Sequence, residues 1–430
     1  MKLEIEALDA AGRGVARNAG KVVFVEGALA GELVEARLLE AKPKFDRARV
    51  TAILRASASR RAPPCPHFGV CGGCVTQHVD FRTQVAAKQR WLEDNLARIG
   101  KVRADTMLPP VYGEEWGYRH RARLSVRYVE GKGGALVGFR ERKSTYVADM
   151  RSCEVLPPRI SALIAPLRLL IGGLSIRDRV PQIEVAAGDA ATVLLLRNLL
   201  PFSDDDEARL REFADKHAVN IWLQPAGPET AAPFHPAVHD SLYYDLPEFG
   251  VRISFQPTDF TQVNPGVNRL LVSRALRLLD PQPGERIADL FCGIGNFSLP
   301  LARQGAQVIG FEGSALLVER ARQNAAANDL VAQFEVADLF QPNPGAGLGN
   351  YGRFDKVLID PPREGAISLV HALPGEWPRR IVYVSCDPAT LARDADVLVH
   401  QKGFSLSAAG VVNMFPHTAH VESIALFERN

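Results

Sequence analysis

The spacing of apolar residues changes along the chain and predicts three regions. In residues 1–57, short alternating runs are separated by glycines. They predict four strands near residues 3–7, 21–25, 32–39 and 47–54. Several short strands with glycine punctuation are typical of a small β-barrel. A Pro-rich connector then precedes the second region.

Residues 58–248 mix helical and strand periods, which predicts a central α+β domain. Helices are predicted over 81–99, 159–170 and 204–218, and strands over 183–187 and 192–196. A hairpin is predicted over 117–148. Its first strand places four arginines on one face, because side chains alternate with period two: Arg119, Arg121, Arg123 and Arg127.

Residues 249–430 alternate strand-like and helical segments, which predicts a doubly wound, Rossmann-like parallel sheet. The predicted strands are 286–290, 307–311, 356–359 and 380–385, and a helix is predicted over 314–328. In such sheets, ligands bind at the carboxyl ends of the strands. The whole chain is therefore expected to be a multi-domain α/β protein with its chemistry in the last region.

Charge adds a second division to this picture. The net charge is only +2, but residues 1–145 hold 26 basic and 16 acidic residues, and the rest hold 25 and 33. A basic N-terminal third on an acidic body indicates a polyanion bound at one end. No apolar run reaches the ~18 residues of a membrane span, and no signal-peptide core is present. We expect a cytoplasmic monomer without a membrane partner.

The loop after the first strand of the third region has the sequence DLFCGIGNF (residues 289–297). The loop lacks the third glycine of a dinucleotide fingerprint, and Asp289 suits a cationic cofactor better than a pyrophosphate. Glu312 ends the second strand, where a carboxylate can accept hydrogen bonds from the ribose hydroxyls. Asp338 could accept a hydrogen bond from the adenine amine. The pattern favours S-adenosylmethionine, with a nucleotide-dependent oxidoreductase as the alternative.

Two later strands end in residues that carry chemistry. DPPR (residues 360–363) lacks the aromatic residue that follows this motif in amino-methylating enzymes, and Cys386 follows the next strand. A thiolate that adds to carbon 6 of uracil activates carbon 5, and a base must then remove the carbon 5 proton. Glu422, in a C-terminal apolar strand, could be that base. Alternatively, Cys386 is a small core residue and Glu422 lies on an exposed strand edge.

Three further cysteines lie within ten positions, at Cys65, Cys71 and Cys74, and Cys153 is the remaining unassigned thiol. Six cysteines in 430 residues do not indicate a disulfide framework. Four thiolates suit either tetrahedral zinc or a four-iron cluster. Spacing alone leaves both metals open.

These motifs together resemble the bacterial RNA uracil-C5 methyltransferases, most closely the members that act on 23S ribosomal RNA. The resemblance runs nearly end to end and rests on FTQVNP (260–265), DLFCGIGNF (289–297), DPPR (360–363), SCDP (385–388) and HTAHVE (417–422). It implies an RNA-binding TRAM domain over 1–57, a central domain over 58–248 and a class I S-adenosylmethionine-dependent methyltransferase domain over 249–430. The family's transfer RNA member lacks the barrel and the cysteine cluster, so both features argue against that branch.

The resemblance also assigns roles to residues. It implies that Cys386 is the nucleophile and Glu422 the base. The implied ligands of a [4Fe-4S] cluster are Cys65, Cys71, Cys74 and Cys153. The implied contacts to S-adenosylmethionine are Gln262, Phe291, Asn296, Glu312, Asp338 and Asp360.

Three alternatives remain at this point. The first is the same reaction at another ribosomal or transfer RNA uracil. The second is an iron–sulfur RNA-binding or redox-sensing protein with an inactive methyltransferase domain. The third is a cytosine-C5 methyltransferase, which also uses a thiolate but needs a group that polarises the ring nitrogen, and none is evident.

Overall fold

The computed structural model describes residues 1–9, 11–237, 241–341 and 348–429. Its first sheet lies at the N-terminus and contains β1 (Lys2–Glu4), β2 (Ala7–Leu8), β3 (Gly14–Asn18), β4 (Lys21–Glu26), β5 (Leu33–Ala41) and β6 (Phe45–Arg55). The strand order is β1-β5-β6-β4-β3-β2. The two edge strands, β1 and β2, are consecutive in the chain. The predicted barrel is confirmed, with an apolar core that includes Val23, Val25 and Val34.

The second sheet has the order β13-β12-β11-β10-β8-β9. Its strands are β8 (Arg121–Val129), β9 (Gly134–Gly138), β10 (Gln182–Ala187), β11 (Thr192–Arg197), β12 (Asn220–Gln224) and β13 (Ala232–His235). The helices of the N-terminal half are α1 (Phe81–Arg98), α2 (Pro158–Ser161), α3 (Ile164–Gly172) and α4 (Asp204–His217). A short hairpin, β14 (Tyr243–Leu246) and β15 (Val251–Ser254), follows.

The helix predicted over 159–170 is two helices, and Pro166 explains the division. Proline has no amide hydrogen, so Pro166 cannot donate to the carbonyl four residues earlier, at Ala162. Proline is tolerated in a first turn, and α3 begins at Ile164, which places Pro166 in that turn. The hairpin of β8 and β9 and the helix α4 are confirmed.

The third sheet has eight strands in the order β18-β17-β16-β19-β20-β22-β21-β7. They are β7 (Thr106–Met107), β16 (Arg286–Leu290), β17 (Gln307–Glu312), β18 (Gln333–Val336), β19 (Lys356–Ile359), β20 (Arg380–Ser385), β21 (Ser405–Val412) and β22 (Glu422–Glu428). Strands β18, β17, β16, β19 and β20 are parallel, and β22 is antiparallel. The helices are α5 (Pro265–Leu279), α6 (Ser298–Arg303), α7 (Ala315–Ala327), α8 (Ile367–Ala372) and α9 (Pro388–His400).

Two elements that precede the second sheet in sequence pack against the third. Helix α1 contributes Leu92 and Leu96 to the apolar core that contains Leu391 of α9, and β7 extends the sheet beside β21. The three-domain division stays a prediction, and these contacts tie its central part to the C-terminal sheet. In the described ranges, no helix is long and apolar enough to cross a membrane.

Candidate functional site

One cleft of about 820 Å³ opens at the carboxyl ends of the parallel strands. The parallel strands end at one edge of the sheet, so residues far apart in sequence meet there. All eight of the predicted cofactor-binding and catalytic residues line this cleft: Gln262, Phe291, Asn296, Glu312, Asp338, Asp360, Cys386 and Glu422.

The glycine loop leaves β16 through backbone conformations that favour glycine. Gly293 and Gly295 have φ angles of 54° and 96°, and side chains with a Cβ atom rarely adopt such angles. The turn brings the backbone N–H of Gly293 to 3.2 Å from Oε2 of Glu312, to which it donates. The other oxygen, Oε1, accepts from the backbone N–H of Ser314 at 3.0 Å. Both bonds hold the Glu312 carboxylate at the wall of the cleft.

Asn296 belongs to a network that the sequence did not reveal. Its side-chain amide exchanges two hydrogen bonds with that of Asn268, at 2.9 and 3.0 Å. The hydroxyl of Tyr244 also donates to Oδ1 of Asn296, at 2.9 Å. Asn268 and Tyr244 therefore fix the orientation of Asn296. A polar residue on the buried face of α5 was the available signal for Asn268.

Asp289 differs from its predicted role beside a cationic cofactor. Its side chain is fully buried, accepts a hydrogen bond from the hydroxyl of Ser298 and is absent from the described lining of the cleft. Burial raises the pKa of Asp289 to about 7. Asp289 therefore bonds to Ser298 inside the protein and does not face the cofactor part of the cleft.

Aromatic rings surround the mouth of the cleft. The rings of Phe291 and Phe340 lie 5.4 Å apart, and Phe260 is 70% exposed. Asp338 is exposed beside them, and its Oδ1 accepts from the backbone N–H of Phe340 at 3.0 Å. Exposed aromatic faces at a pocket entrance can stack on flat rings such as nucleobases.

Cys386, Glu422 and Asp360 form an acidic, poorly solvated group. Burial and then the neighbouring Asp360 raise the pKa of Glu422 to about 8, and burial raises that of Asp360 to about 7. Burial, Glu422 and Asp360 raise the pKa of Cys386 to about 11, whereas Arg363 opposes that rise. Before a ligand binds, the thiol is therefore protonated, and Glu422 accepts a proton readily near neutral pH.

Arg363 and His420 face the same group from the outside. Nη2 of Arg363 donates to Nδ1 of His420 at 2.9 Å, and both residues line the cleft. Burial and the charge of Arg363 lower the pKa of His420. The sequence assigned no role to His420, although it belongs to the HTAHVE motif.

The four cysteines of the predicted cluster line one small cavity in the second region. The pKa of Cys74 is raised to about 12 and that of Cys153 to about 11. Burial is the larger cause in both cases, and the charges of neighbouring cysteines contribute to the rise. None of the six cysteines, all of which lie in the described ranges, forms a disulfide bond. Among the described residues, no group of three or more His, Cys, Asp or Glu side chains was found that could hold a metal ion.

The predicted arginine face is only partly available for a ligand. Arg119 precedes β8, and Nη2 of Arg121 donates to the backbone carbonyls of Pro257 and Asp259 at 2.6 and 2.8 Å. Arg123 pairs with Glu184 at 2.9 Å. Nε of Arg119 also donates to the backbone carbonyl of Arg121, at 3.0 Å. Three of the four guanidinium groups therefore bond to groups of the protein itself, which a period-two pattern cannot reveal.

A second groove, of about 750 Å³, runs between the barrel, the cysteine segment and the hairpin. We call it the basic groove. Its basic residues are Arg13, Arg123, Arg140, Arg142 and Lys143. Ala419, which neighbours His420 of the cleft, also lines it. The basic groove and the cleft therefore both border the segment that contains Ala419 and His420.

Comparisons with known proteins agree with this arrangement. The model for tRNA (Uracil-5-)-methyltransferase matches residues 248–430, and the TRAM domain model matches residues 1–51. The chain is 61% identical to the 23S rRNA (uracil(1939)-C(5))-methyltransferase RlmD of Nitrosospira multiformis, over 99% of this chain and 98% of that protein. It is 62% identical to the protein of the same name from Thiobacillus denitrificans, over 99% of both.

A solved structure extends the similarity to the fold. The Pyrococcus abyssi tRNA (uracil-54, C5)-methyltransferase, in complex with S-adenosyl-L-homocysteine, aligns with a TM-score of 0.76 and 25% identity over 99% of each chain. The barrel, the central region and the C-terminal sheet thus have counterparts in a transfer RNA methyltransferase. The expectation that a barrel argues against the transfer RNA branch is therefore wrong. On the strength of its full-length identity to the curated relatives, the chain belongs to the RNA uracil-C5 methyltransferase family.

Proposed function

We propose that this protein methylates carbon 5 of one uracil in 23S ribosomal RNA, with S-adenosylmethionine as the methyl donor. The observation that carries the proposal is the presence of Cys386 and Glu422 in one cleft with a glycine loop and an anchored Glu312. The high identity to proteins named as 23S rRNA uracil-1939 methyltransferases supports the equivalent uracil as the target.

The donor fits the half of the cleft that the glycine loop forms. Glu312 accepts ribose hydroxyls, and Phe291 offers an apolar ring to the adenine. Gln262, Asn296, Asp338 and Asp360 supply polar groups around the remainder. When bound, the donor supplies a methyl group on a positively charged sulfur. That charge favours the ionised forms of the two carboxyl groups whose pKa burial raises, Asp360 and Glu422.

Cys386 acts on the target base as a nucleophile. Its sulfur forms a bond to carbon 6 as a thiolate, and the electron pair of the 5,6 double bond makes carbon 5 nucleophilic. Carbon 5 then takes the methyl group. The carboxylate of Glu422 removes the remaining proton from carbon 5, and the electron pair re-forms the double bond as the Cys386 thiolate leaves.

The thiol of Cys386, which is partly exposed, must lose its proton to water before it can add. The guanidinium of Arg363 lowers the pKa of Cys386 and so favours the thiolate. A target base must leave its stack to reach a sulfur at the bottom of a cleft. The exposed Phe260 at the entrance supports this route, because it offers a ring on which a displaced base can stack.

A methylation assay tests the proposed function. The protein is incubated with unmodified 23S ribosomal RNA and labelled S-adenosylmethionine, and the RNA is digested and mapped by mass spectrometry. We expect one 5-methyluridine at the position equivalent to uracil 1939. Methylation of a cytosine, or of transfer RNA in preference to ribosomal RNA, would contradict the proposal.

We further propose that the basic groove holds the phosphates that flank the target uracil. Within the described ranges, the side chains of Arg140 and Arg142 have no acidic partner, whereas Lys143 pairs with Glu26 and Arg13 with Asp9. Unpaired guanidinium groups are available for phosphate. The groove's position beside His420 suits RNA that continues into the cleft.

Replacement of both Arg140 and Arg142 by serine is expected to weaken RNA binding. Each lost phosphate contact removes about 0.7 from the slope of log K against log salt, so the double variant should lose about 1.4. Filter binding across a salt series measures the slope. Arg211→Ser is the matched control, since Arg211 is an exposed arginine on α4 that pairs with Glu207. An unchanged slope would exclude the basic groove as a phosphate-binding site.

We also propose that Cys65, Cys71, Cys74 and Cys153 hold a [4Fe-4S] cluster. The convergence of the four cysteines on one small cavity supports it. The cluster would join the hairpin and the cysteine segment beside the basic groove. It takes no part in the reaction described above.

Loss of the cluster in a Cys74→Ser variant tests this assignment. Protein purified without oxygen is expected to contain about four iron and four sulfide per chain, and the variant much less. Cys292→Ser is the control, since Cys292 is buried in the glycine loop and away from this cavity. Stoichiometric zinc instead of iron would contradict the proposal.

A further inference from the structure

Helix α1 carries a lysine on the face that packs against the rest of the protein. Lys88 is 6% exposed and follows the spacing of Val85 and Leu92, which are also buried. The burial of an ammonium group is costly unless partners compensate it. The mechanism above uses no residue of α1, so this lysine needs another explanation.

The contacts of Lys88 lead to the strand of the proposed base. Its Nζ donates to Oδ1 of Asn413 at 2.7 Å and to the backbone carbonyl of Phe415 at 2.8 Å. Both acceptors are neutral. Asn413 directly follows Val412, which pairs with Glu422 in the antiparallel ladder of β21 and β22. Lys88 therefore holds the segment that passes beside Glu422.

Among the described residues, the buried carboxyl group of Glu422 has one oxygen without a hydrogen-bond partner to offset its burial. That oxygen is Oε2, and Glu422 is 5% exposed. Asp360 raises its pKa further, while the charge of Lys88 lowers it. In return, Glu422 raises the pKa of Lys88, which burial lowers to about 7. The two groups thus favour each other's charged form.

The other titratable groups around this pair do not replace Lys88. Cys386 and Asp360 add negative charge when ionised. Burial lowers the pKa of His417 to about 4, so His417 is neutral near pH 7. Burial and then Arg363 also lower the pKa of His420, which disfavours a positive charge there. Arg363 bonds to His420 and acts on the thiol side of the group.

We propose that Lys88 is a positioning residue for Glu422. The ammonium group of Lys88 holds the Asn413–Phe415 segment and increases the fraction of the neighbouring carboxyl group that is ionised for proton removal. This inference rests on the proposed function of Glu422. The proton from carbon 5 goes to the carboxylate, and Lys88 neither gains nor loses a proton in that step.

Lys88→Met tests the charge while it preserves most of the side-chain volume. Without the ammonium, the Glu422 carboxyl holds its proton to higher pH. We expect the acid limb of the pH–rate profile to move up by about one unit and the rate at pH 7 to fall about tenfold. A larger fraction of ordinary RNA should also remain covalently bound to Cys386, because elimination slows while addition does not. Denaturing gels measure that fraction.

Two further variants separate charge from packing. Gln84→Met removes a neutral contact between the same face of α1 and the same segment, where Gln84 accepts from the backbone N–H of His417 at 2.9 Å. It should leave the acid limb in place. Lys88→Arg keeps a charge that does not titrate, so its acid limb should stay or move to lower pH.

The outcomes are separable. If the wild type forms no 5-methyluridine, the proposed function itself fails. If the wild type is active and a folded Lys88→Met variant keeps both the acid limb and the covalent fraction, the role of Lys88 is excluded. If the acid limb of Gln84→Met moves as far as that of Lys88→Met, Lys88 acts only through packing and the inference is overturned. If Lys88→Met does not fold, an acid limb moved to higher pH in Lys88→Arg would overturn it as well.

Discussion

Replacement of Cys386 by alanine is expected to abolish both methyl transfer and the covalent RNA complex. Carbon 5 of uracil is a poor nucleophile until a sulfur adds to carbon 6. The other cysteine of the cleft, Cys292, is buried in the glycine loop and is not expected to replace Cys386. We expect turnover to fall by at least about 10⁴-fold. RNA binding should stay near the wild-type level, because the basic groove does not include this residue. Scintillation counting of labelled methyl groups in RNA measures the effect.

The matched control for this prediction is Cys292→Ala. Cys292 lines the same cleft but lies in the glycine loop, 3% exposed. Its replacement should retain covalent complex formation even if donor binding weakens. Methyl transfer by Cys386→Ala at a rate close to that of the wild type would rule out covalent catalysis through this sulfur.

Replacement of Glu422 by glutamine is expected to separate addition from elimination. Glutamine keeps the shape of the side chain but cannot take the carbon 5 proton. Methylated uracil should therefore remain bonded to Cys386 on ordinary RNA, and turnover should fall by about 10²- to 10⁴-fold, the usual contribution of a general base. Denaturing gels with labelled donor would show the methyl label in a protein–RNA band.

The pH dependence gives Glu422 a second signature. Its pKa is raised to about 8, so the base form grows as pH rises through that value and the wild-type rate should rise with it. Because the folded-state pKa lies above the ordinary value, the charged form destabilises the fold as pH rises. Glu422→Gln should thus unfold at a higher temperature than the wild type above pH 8. Equal pH–stability profiles would contradict this assignment.

The strands and the shared location of the site residues could be predicted because they depend on local pattern and on one rule of topology. The predicted ranges 356–359 and 380–385 agree with β19 and β20. Placing Glu312, Asp360 and Cys386 at the ends of parallel strands sufficed to bring them to one edge of the sheet.

The remainder depends on contacts between distant segments, which local patterns do not report. Asp289 bonds to Ser298 inside the protein, and Arg121 is bonded to carbonyls more than 130 positions away. The role of Lys88 could not be predicted because its hydrogen-bond partners follow it by more than 320 positions. Its one local signal was a charge within an apolar stripe.

The most direct test of the central claim uses ribosomal RNA in which 5-fluorouracil replaces uracil. Fluorine at carbon 5 leaves no proton for Glu422 to remove, so elimination stops after methyl transfer. With S-adenosylmethionine, the wild type is expected to form a stable protein–RNA complex. Peptide mapping should place the methylated nucleotide on Cys386. A complex through another residue, or methylation of ordinary RNA without any trapped complex on fluorinated RNA, would contradict the account.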